Sequence, residues 1–396
     1  MIEKLKQLVS SVKDEAILNR RHLHRFPELS FQEYETSRYI KKVLQSYDIA
    51  FEEVADTGLI AKVVGRQSVS TNVVILRADI DALPIHEQND TAFTSNNEGV
   101  MHACGHDFHT ANLLAVLRIL KGMEDDFSGT VIGIFQPAEE KIPGGAISVL
   151  ASGKLPLPSE HVKGVIGLHV SPRLDVGKVG VRSGKFMASS DEIYITIKGR
   201  GGHGAQPHLN IDPVVISAQL ILSLQQVVSR FANPAVPSVL SFGKVIANGA
   251  TNVIPGEVYI EGTFRTMDEN WRAQALALIE KQIKELPGIY GATVELEIRR
   301  GYPVLINDSR LTEVVSAYLQ EYVSKESFEH LDIWMAAEDF AYYSHSYPAL
   351  FYFIGVANAQ KGIGSELHTP TFQIDEDAFE QAIGGMVYSA LKMLEG

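Results

Sequence analysis

Residues 73–84 read Val-Val-Ile-Leu-Arg-Ala-Asp-Ile-Asp-Ala-Leu-Pro, an apolar run that ends in two acids, Asp79 and Asp81. The run at 73–78 is nearly all aliphatic, Arg77 apart, rather than alternating, which predicts a strand covered on both faces, as in sheets flanked by helices. The pattern recurs downstream. Residues 130–135 are a second apolar strand candidate and run straight into Gln136-Pro137-Ala138-Glu139-Glu140. Residues 162–170 predict a third strand with His169 at its end, and residues 349–355 a fourth, followed by a loop holding His368. In open α/β sheets, ligands bind outside the carboxyl ends of the strands. Repeated delivery of acids and histidines to that edge predicts a site there.

Between the first two strands lies Met101-His-Ala-Cys-Gly-His-Asp-Phe-His109, which gathers three histidines, an acid and the only cysteine. Imidazole, thiolate and carboxylate are the side chains that hold transition metals. A lone cysteine makes no internal disulfide. Cys104 and His106 are therefore candidate metal ligands. Taken alone, such a loop would better suit a buried free thiol in polar surroundings. The acids and histidines at the other strand ends weigh against that.

The chain has 396 residues, 45% hydrophobic and 21% charged, an ordinary globular balance whose length favours two domains. A formal net charge of −13 argues against a nucleic-acid partner, which would need a basic patch. No run of 18 apolar residues is present, so no transmembrane helix is expected. Residues 1–19 mix charged and apolar residues at helical spacing and lack the apolar stretch of a signal peptide. With a single thiol, this predicts a cytoplasmic location.

Helices are expected at 2–18, 33–47, 111–123, 308–322 and 375–394, with a further strand at 59–65. The basic run Arg20-Arg21-His22-Leu23-His24-Arg25 reads as a solvated face. From about residue 184 the pattern changes. Residues 192–198 alternate like a half-exposed strand, and Gly199-Arg-Gly-Gly-His203-Gly204 is a turn. A helix at 213–231, strands at 239–246 and 258–266, a helix at 269–286 and a strand at 292–298 follow. That order is the split βαβ pattern of ferredoxin-like domains. The expected fold class is α/β: a mixed-sheet catalytic domain from residues 1–183 and 301–396, interrupted by an inserted ferredoxin-like α+β (βαββαβ) domain at 184–300.

His102-Ala-Cys104-Gly-His106-Asp107, Pro137-Ala-Glu139-Glu140, Gly167-Leu-His169 and Leu367-His368-Thr-Pro370 occur in that order, after Arg77-Ala-Asp79-Ile-Asp81-Ala-Leu-Pro84. Together they resemble the M20 metallopeptidases over essentially the whole chain. The nearest branch is the amidohydrolases that include hippurate hydrolases, N-acyl-amino-acid deacylases and plant indole-acetyl-amino-acid hydrolases. The resemblance implies that Cys104, His106, Glu140, His169 and His368 are the ligands of a two-metal site, with Glu139 as general base. It implies that Asp79 and Asp81 orient ligands, a role carboxylates often play toward histidine. His203, in the inserted domain, would reach the tetrahedral intermediate; in relatives it often comes from the partner subunit, which implies a homodimer or higher homo-oligomer and a lid or dimerisation role for that domain. Asn252, in Thr251-Asn252-Val-Ile-Pro255, and Arg265, in Gly262-Thr-Phe-Arg265, would grip the substrate carboxylate.

Amide hydrolysis needs an activated water, an electrophilic carbonyl and a proton for the leaving amine. Two divalent cations roughly 3.5–4 Å apart can bind and acidify such a water. Five protein ligands are too many for one tetrahedral catalytic zinc and natural for a pair. One thiolate, one carboxylate and three imidazoles suit zinc and tolerate cobalt, nickel or manganese. Of the adjacent acids, one can hold metal while the other takes a proton from water and hands it to the amine. The expected activity is hydrolysis of a small N-acyl amino acid to a carboxylic acid and a free amino acid, with no nucleic-acid or membrane partner. Alternatives are a dipeptidase or aminopeptidase on the same scaffold, a thiol enzyme with Cys104 as nucleophile, and a non-catalytic metal-binding protein. His86, His102, His109 and His208 are expected to be surface or packing residues, and Asp107 is left open as a hydrogen-bond partner of a ligand.

Overall fold

A computed structural model of the chain describes residues 1–395. It divides into two compact units: Met1–Phe186 with Ile306–Ile333 and the chain from Asp339 onward, and Met187–Leu305 with Trp334–Glu338.

The first unit opens with α1 (Ile2–Arg25), α2 (Tyr34–Ser46), β1 (Ala50–Val54), β2 (Gly58–Arg66) and β3 (Val73–Asp79). Then come α3 (His106–Gly122), β4 (Ser128–Gln136), α4 (Gly145–Ala151), β5 (Val162–Asp175), β6 (Val179–Val181) and β7 (Gly184–Met187). The second unit contains β8 (Ser189–Lys198), β9 (Gly202–His203), α5 (Pro213–Gln226), β10 (Ser238–Ile246), β11 (Val253–Ile254), β12 (Glu257–Thr266), α6 (Glu269–Ile289) and β13 (Thr293–Arg300). The chain finishes with β14 (Leu305–Asn307), α7 (Ser309–Val323), β15 (Phe328–His330), α8 (Ala341–Ser346), β16 (Ala349–Ala357) and α9 (Phe379–Glu395).

Eight strands of the first unit form one mixed sheet in the order β1-β2-β4-β3-β5-β16-β6-β15. The inner four, β4, β3, β5 and β16, run parallel. Strands β1 and β2 pair antiparallel, and β2 meets β4 antiparallel. The unbroken apolar runs occupy the inner strands, where both faces are covered. Helix α3 is buried on almost every side from His106 to Leu120, its polar first turns included. Each of its leucines at 113, 114, 117 and 120 contributes about 1.5–3 kcal/mol by leaving water. Because Asp79 pairs with Gln136 and His169 with Phe353, the inner strands deliver their polar residues to one edge.

Several boundaries differ from the pattern-based expectation. Helix α1 continues through the basic run, and Arg20 and His24 are buried rather than solvated. Helix α3 begins at His106, not at 111, so the polar end of the Cys104 stretch is its first turn. The edge strand β1 has a mostly exposed pattern without alternation and gave no signal.

In the second unit, four antiparallel strands lie in the order β10-β12-β8-β13. This is a ferredoxin-like arrangement. Ile193, Ile195 and Ile197 of β8 point to one face, into a core shared with Ile216, Leu220 and Leu224 of α5 and Ala275, Ile279 and Ile283 of α6. The stretch Pro213–Phe231 is long and apolar enough in composition to cross a membrane. Its inner side nevertheless packs on the sheet as an ordinary cover helix, and Ser217, Gln219 and Ser223 interrupt the apolar run. Trp334–Glu338 rejoins this unit, where Ala188 N donates to the carbonyls of Trp334 (3.2 Å) and Ala336 (2.9 Å).

Candidate metal centre

Three loops at the carboxyl edge of the first unit turn through left-handed backbone. Gly105 has φ +84, Ala138 +52 and His368 +60. For residues other than glycine this conformation costs roughly 1–2 kcal/mol, and such strain gathers at functional sites. At Gly105 no side chain would fit in any case, since a Cβ would lie 2.4 Å from Val170 Cγ2. Cys104 and His106 flank this glycine, and His106 begins α3.

The donor atoms of the five sequence-predicted ligands converge. Cys104 Sγ is 3.3 Å from His169 Nε2 and 3.3 Å from His368 Nε2. His368 Nε2 is 3.3 Å from Glu140 Oε1, and His106 Nε2 is 3.9 Å from the same oxygen. Donors bound to one tetrahedral ion at about 2.0–2.3 Å must sit about 3.3–3.7 Å from one another. His106 Nε2 and Glu140 Oε1 are both buried without a hydrogen-bond partner, which native proteins rarely tolerate. These residues fit divalent cations. Glu139 is buried beside them, with Oε2 4.0 Å from His106 Nε2.

The outward nitrogens are tied down. His106 Nδ1 lies 3.0 Å from the Asp81 carbonyl and 3.1 Å from Asp81 Oδ1, and His169 Nδ1 lies 2.7 Å from the Val170 carbonyl. Partners of this kind fix ring orientation and tautomer at metal sites. Asp79 Oδ1 bonds His109 Nδ1 at 2.6 Å, and Asp79 Oδ2 accepts from Arg77 Nη1 at 2.6 Å while lying 3.7 Å from His106 Nε2. His109 Nε2 accepts from Val170 N at 3.0 Å, so both its nitrogens are used and it packs rather than ligates.

Negative charge dominates the cluster. Burial alone would raise the Asp79 carboxyl, but His106, Arg77 and His109 together hold it well below its usual range. Burial opposes a charge on His106, yet Asp79, Asp81 and Glu140 carry its pKa up to about 10. Burial, Glu140 and Glu139 push the Cys104 thiol well above its usual value. A cation among these donors would oppose the rises at His106 and Cys104, as metal binding and ligand deprotonation are linked.

Some residues lie elsewhere. Asp107 touches none of the five. It accepts from Arg20 Nε at 3.1 Å and bonds His24 Nδ1 at 2.9 Å, inside a buried network that His24 Nε2 extends to Glu87 at 3.0 Å. His203, Asn252 and Arg265 belong to the second unit. There His203 is exposed, its strand pairs with β11, and Gly204 N donates to the Asn252 carbonyl at 2.8 Å. Arg265 is half-buried and donates to the Met335 carbonyl at 3.1 Å. Two buried acids escaped the sequence reading. Glu33 accepts from Ala138 N at 2.8 Å, and Asp339 accepts from Arg77 Nη2 at 2.8 Å, Gln136 Nε2 at 2.8 Å and Ala146 N at 3.0 Å. Both partners are distant in sequence, so the only local signal was an acid inside an otherwise unremarked segment.

The chain was compared with known proteins. It is 44% identical to an N-acyl-L-amino acid amidohydrolase of Geobacillus stearothermophilus, over 77% of this chain and 81% of that protein. It is 35% identical to thermostable carboxypeptidase 2 of Saccharolobus solfataricus, over 99% of this chain and 98% of that one. Among solved structures it resembles the Bacillus subtilis YXEP protein, described as a dinuclear metal binding peptidase from the M20 family. That match has a TM-score of 0.79 at 34% identity, covering 98% of this chain and 99% of the other. Residues 75–392 match the sequence profile of peptidase family M20/M25/M40. With most of its length matched by that profile and with full-length relatives on this scaffold, the chain belongs to peptidase family M20/M25/M40.

Proposed function

We propose that this protein hydrolyses the amide bond of N-acyl amino acids, releasing a carboxylic acid and the free amino acid. Cys104, His106, Glu140, His169 and His368 are the residues that would hold two divalent cations. When bound, such cations would supply an acidified water and polarise the scissile carbonyl. Glu139 is the general base: it takes the proton of the attacking water and returns it to the leaving amine. Asp81 and Asp79 orient the ligand histidines. His203 stabilises the tetrahedral intermediate, and Asn252 and Arg265 hold the substrate carboxylate, for which a guanidinium is a natural bidentate partner. A free α-carboxylate beside the scissile amide is common to acyl-amino-acid and carboxypeptidase substrates, in keeping with the names of the two relatives above.

The single observation that carries this reading is the convergence of five donors within 3.3–3.9 Å contacts beside Glu139. It weighs against a thiol enzyme, because Cys104 faces two imidazoles other than His106 and burial raises its pKa, the reverse of an activated nucleophile. The identity of the ions is part of the proposal, with zinc first and manganese, cobalt or nickel as substitutes. So is a cytoplasmic, reducing location, which the lone buried thiol supports.

A homodimer through the second unit belongs to the same reading. The outer side of α5 shows Val214, Val215 and Leu222 to solvent, and no charged residue occurs between Pro213 and Ser229. Strand β10 is an open sheet edge beside it, and open edges invite pairing.

The test is release of free amino acid from acetyl, benzoyl and longer acyl amino acids, before and after chelation and with zinc, manganese or cobalt restored. Turnover that disappears with the metal and returns with it is expected. Turnover by metal-free protein, shown metal-free by elemental analysis, would falsify the reading.

A further inference from the structure

We propose that Glu33 is a positioning residue for the acid pair: its carboxylate fixes the backbone turn at Ala138 that aims Glu139 and Glu140. This rests on the acyl-amino-acid reading above.

Glu33 has no exposed surface. A buried carboxylate is costly unless it is hydrogen-bonded, and this one is bonded by three residues that lie in turns or at a strand end. Its Oε1 accepts from two backbone amides, Phe31 N at 2.9 Å and Ala138 N at 2.8 Å, and its Oε2 from Thr57 Oγ1 at 2.7 Å. Phe31 (φ +65) and Ala138 (φ +52) are both left-handed residues other than glycine. One oxygen therefore ties together two strained turns that are more than a hundred positions apart.

Two residues on, the arrangement repeats. Glu140 N donates to Asp81 Oδ2 at 3.0 Å, and the same oxygen accepts from Ser30 Oγ at 2.6 Å. The amides on either side of Glu139 are thus each held by a buried carboxylate, and the segment from Ser30 to Glu33 supports both. The Ala138 carbonyl is held as well, by Gly145 N at 3.0 Å. With the amide released, the roughly 1–2 kcal/mol cost of left-handed backbone favours relaxation at Ala138, and relaxation there redirects the two side chains that follow.

The experiment compares wild type with Glu33→Ala and Glu33→Gln. Glutamine keeps an acceptor oxygen for both amides, and the Thr57 hydroxyl can accept from its NH2 group instead of donating. Three quantities are read: kcat and KM on an acyl amino acid, zinc affinity by chelator competition, and melting temperature. Expected for E33A is a drop in kcat and a weakening of zinc binding, each of roughly 10–100-fold, as for other groups that orient metal ligands, with KM little changed. E33Q should restore both. If E33A does not fold, Glu33→Asp replaces it, since its carboxylate is withdrawn by one methylene and should show the same losses. The proposal is overturned if E33A only lowers the melting temperature while kcat and zinc affinity hold, or if E33Q is as impaired as E33A. Should wild type hydrolyse no acyl amino acid with any ion, the amidohydrolase reading fails, while the zinc measurement, which needs no turnover, still decides on Glu33.

Discussion

Strands β5 and β8 are both long and both central to their sheets, yet they treat polar side chains in opposite ways. β5 is buried on both faces from Gly164 to Ser171, and its one titratable side chain there, His169, is buried with Nε2 turned to Cys104. β8 alternates: three isoleucines point inward, and Tyr194, Thr196 and Lys198 point toward solvent. A sheet covered on both sides can carry polar groups only at its strand ends, where they are dry and must find partners. That need orders them in advance. A one-sided sheet sends polar groups to water, and in the same unit His203, on the short exposed strand β9, and Asn252, on an exposed turn, have backbone contacts but no dry network. The second unit has exceptions, among them the buried Asp191–Arg272 pair (2.6 and 2.8 Å) at the start of β8, which fastens α6 to the sheet.

The largest effect expected from this contrast follows Glu139→Gln. It should lower kcat by roughly 10²–10⁴-fold, the usual contribution of a general base, with metal content unchanged by elemental analysis. Near-normal turnover would remove Glu139 from the chemistry. His203→Ala, on an exposed two-residue strand, should cost about 10²–10³-fold in kcat, as loss of a group stabilising an oxyanion does, with no change in the denaturant midpoint. A shifted midpoint would mean that the exposed strand is as structurally committed as the buried edge.

Stability should divide the two regions more sharply than activity. Asp339→Ala leaves Arg77 buried with one charged partner fewer, and breaking such a pair costs roughly 3–5 kcal/mol. Asn252→Ala should stay within about 0.5 kcal/mol, as exposed substitutions do. Equal values from urea unfolding would erase the distinction between dry and wet polar groups.

The smallest effect concerns acid. Hydrogen bonds from Lys13 and Lys361 hold Asp377 at about 2 rather than 3.8. The folded value is the lower one, so its contribution is fully present above the unfolded pKa and fades as pH falls from about 4 toward 2. The pair is exposed, which limits that contribution to about 1 kcal/mol or less. Asp377→Asn should flatten that part of the stability–pH curve slightly, and an unchanged slope would show that the contacts carry no linkage.

The sequence made the inner sheet legible because long apolar runs leave few other homes; Cys104 and His106 stood out because thiol and imidazole are rare in such company, while Glu140, His169 and His368 entered as ligands only through the family resemblance. What it hid depends on long-range pairing. Arg20 and His24 look like surface charge until Asp107, Glu87 and Glu376 are brought against them. Glu33 and Asp339 look like ordinary acids until the 136–146 loop closes on them. The start of α3 was missed because His106 and Asp107 read as site chemistry, not as a helix turn. The return of Trp334–Glu338 to the second unit rests on a few backbone bonds that no periodicity announces.

Cys104 and His368 touch across 264 positions of chain. During synthesis that contact has no existence until the ribosome has passed residue 368, and before then any passing ion meets only part of the donor set. The donor set is therefore complete only once nearly the whole chain has been made.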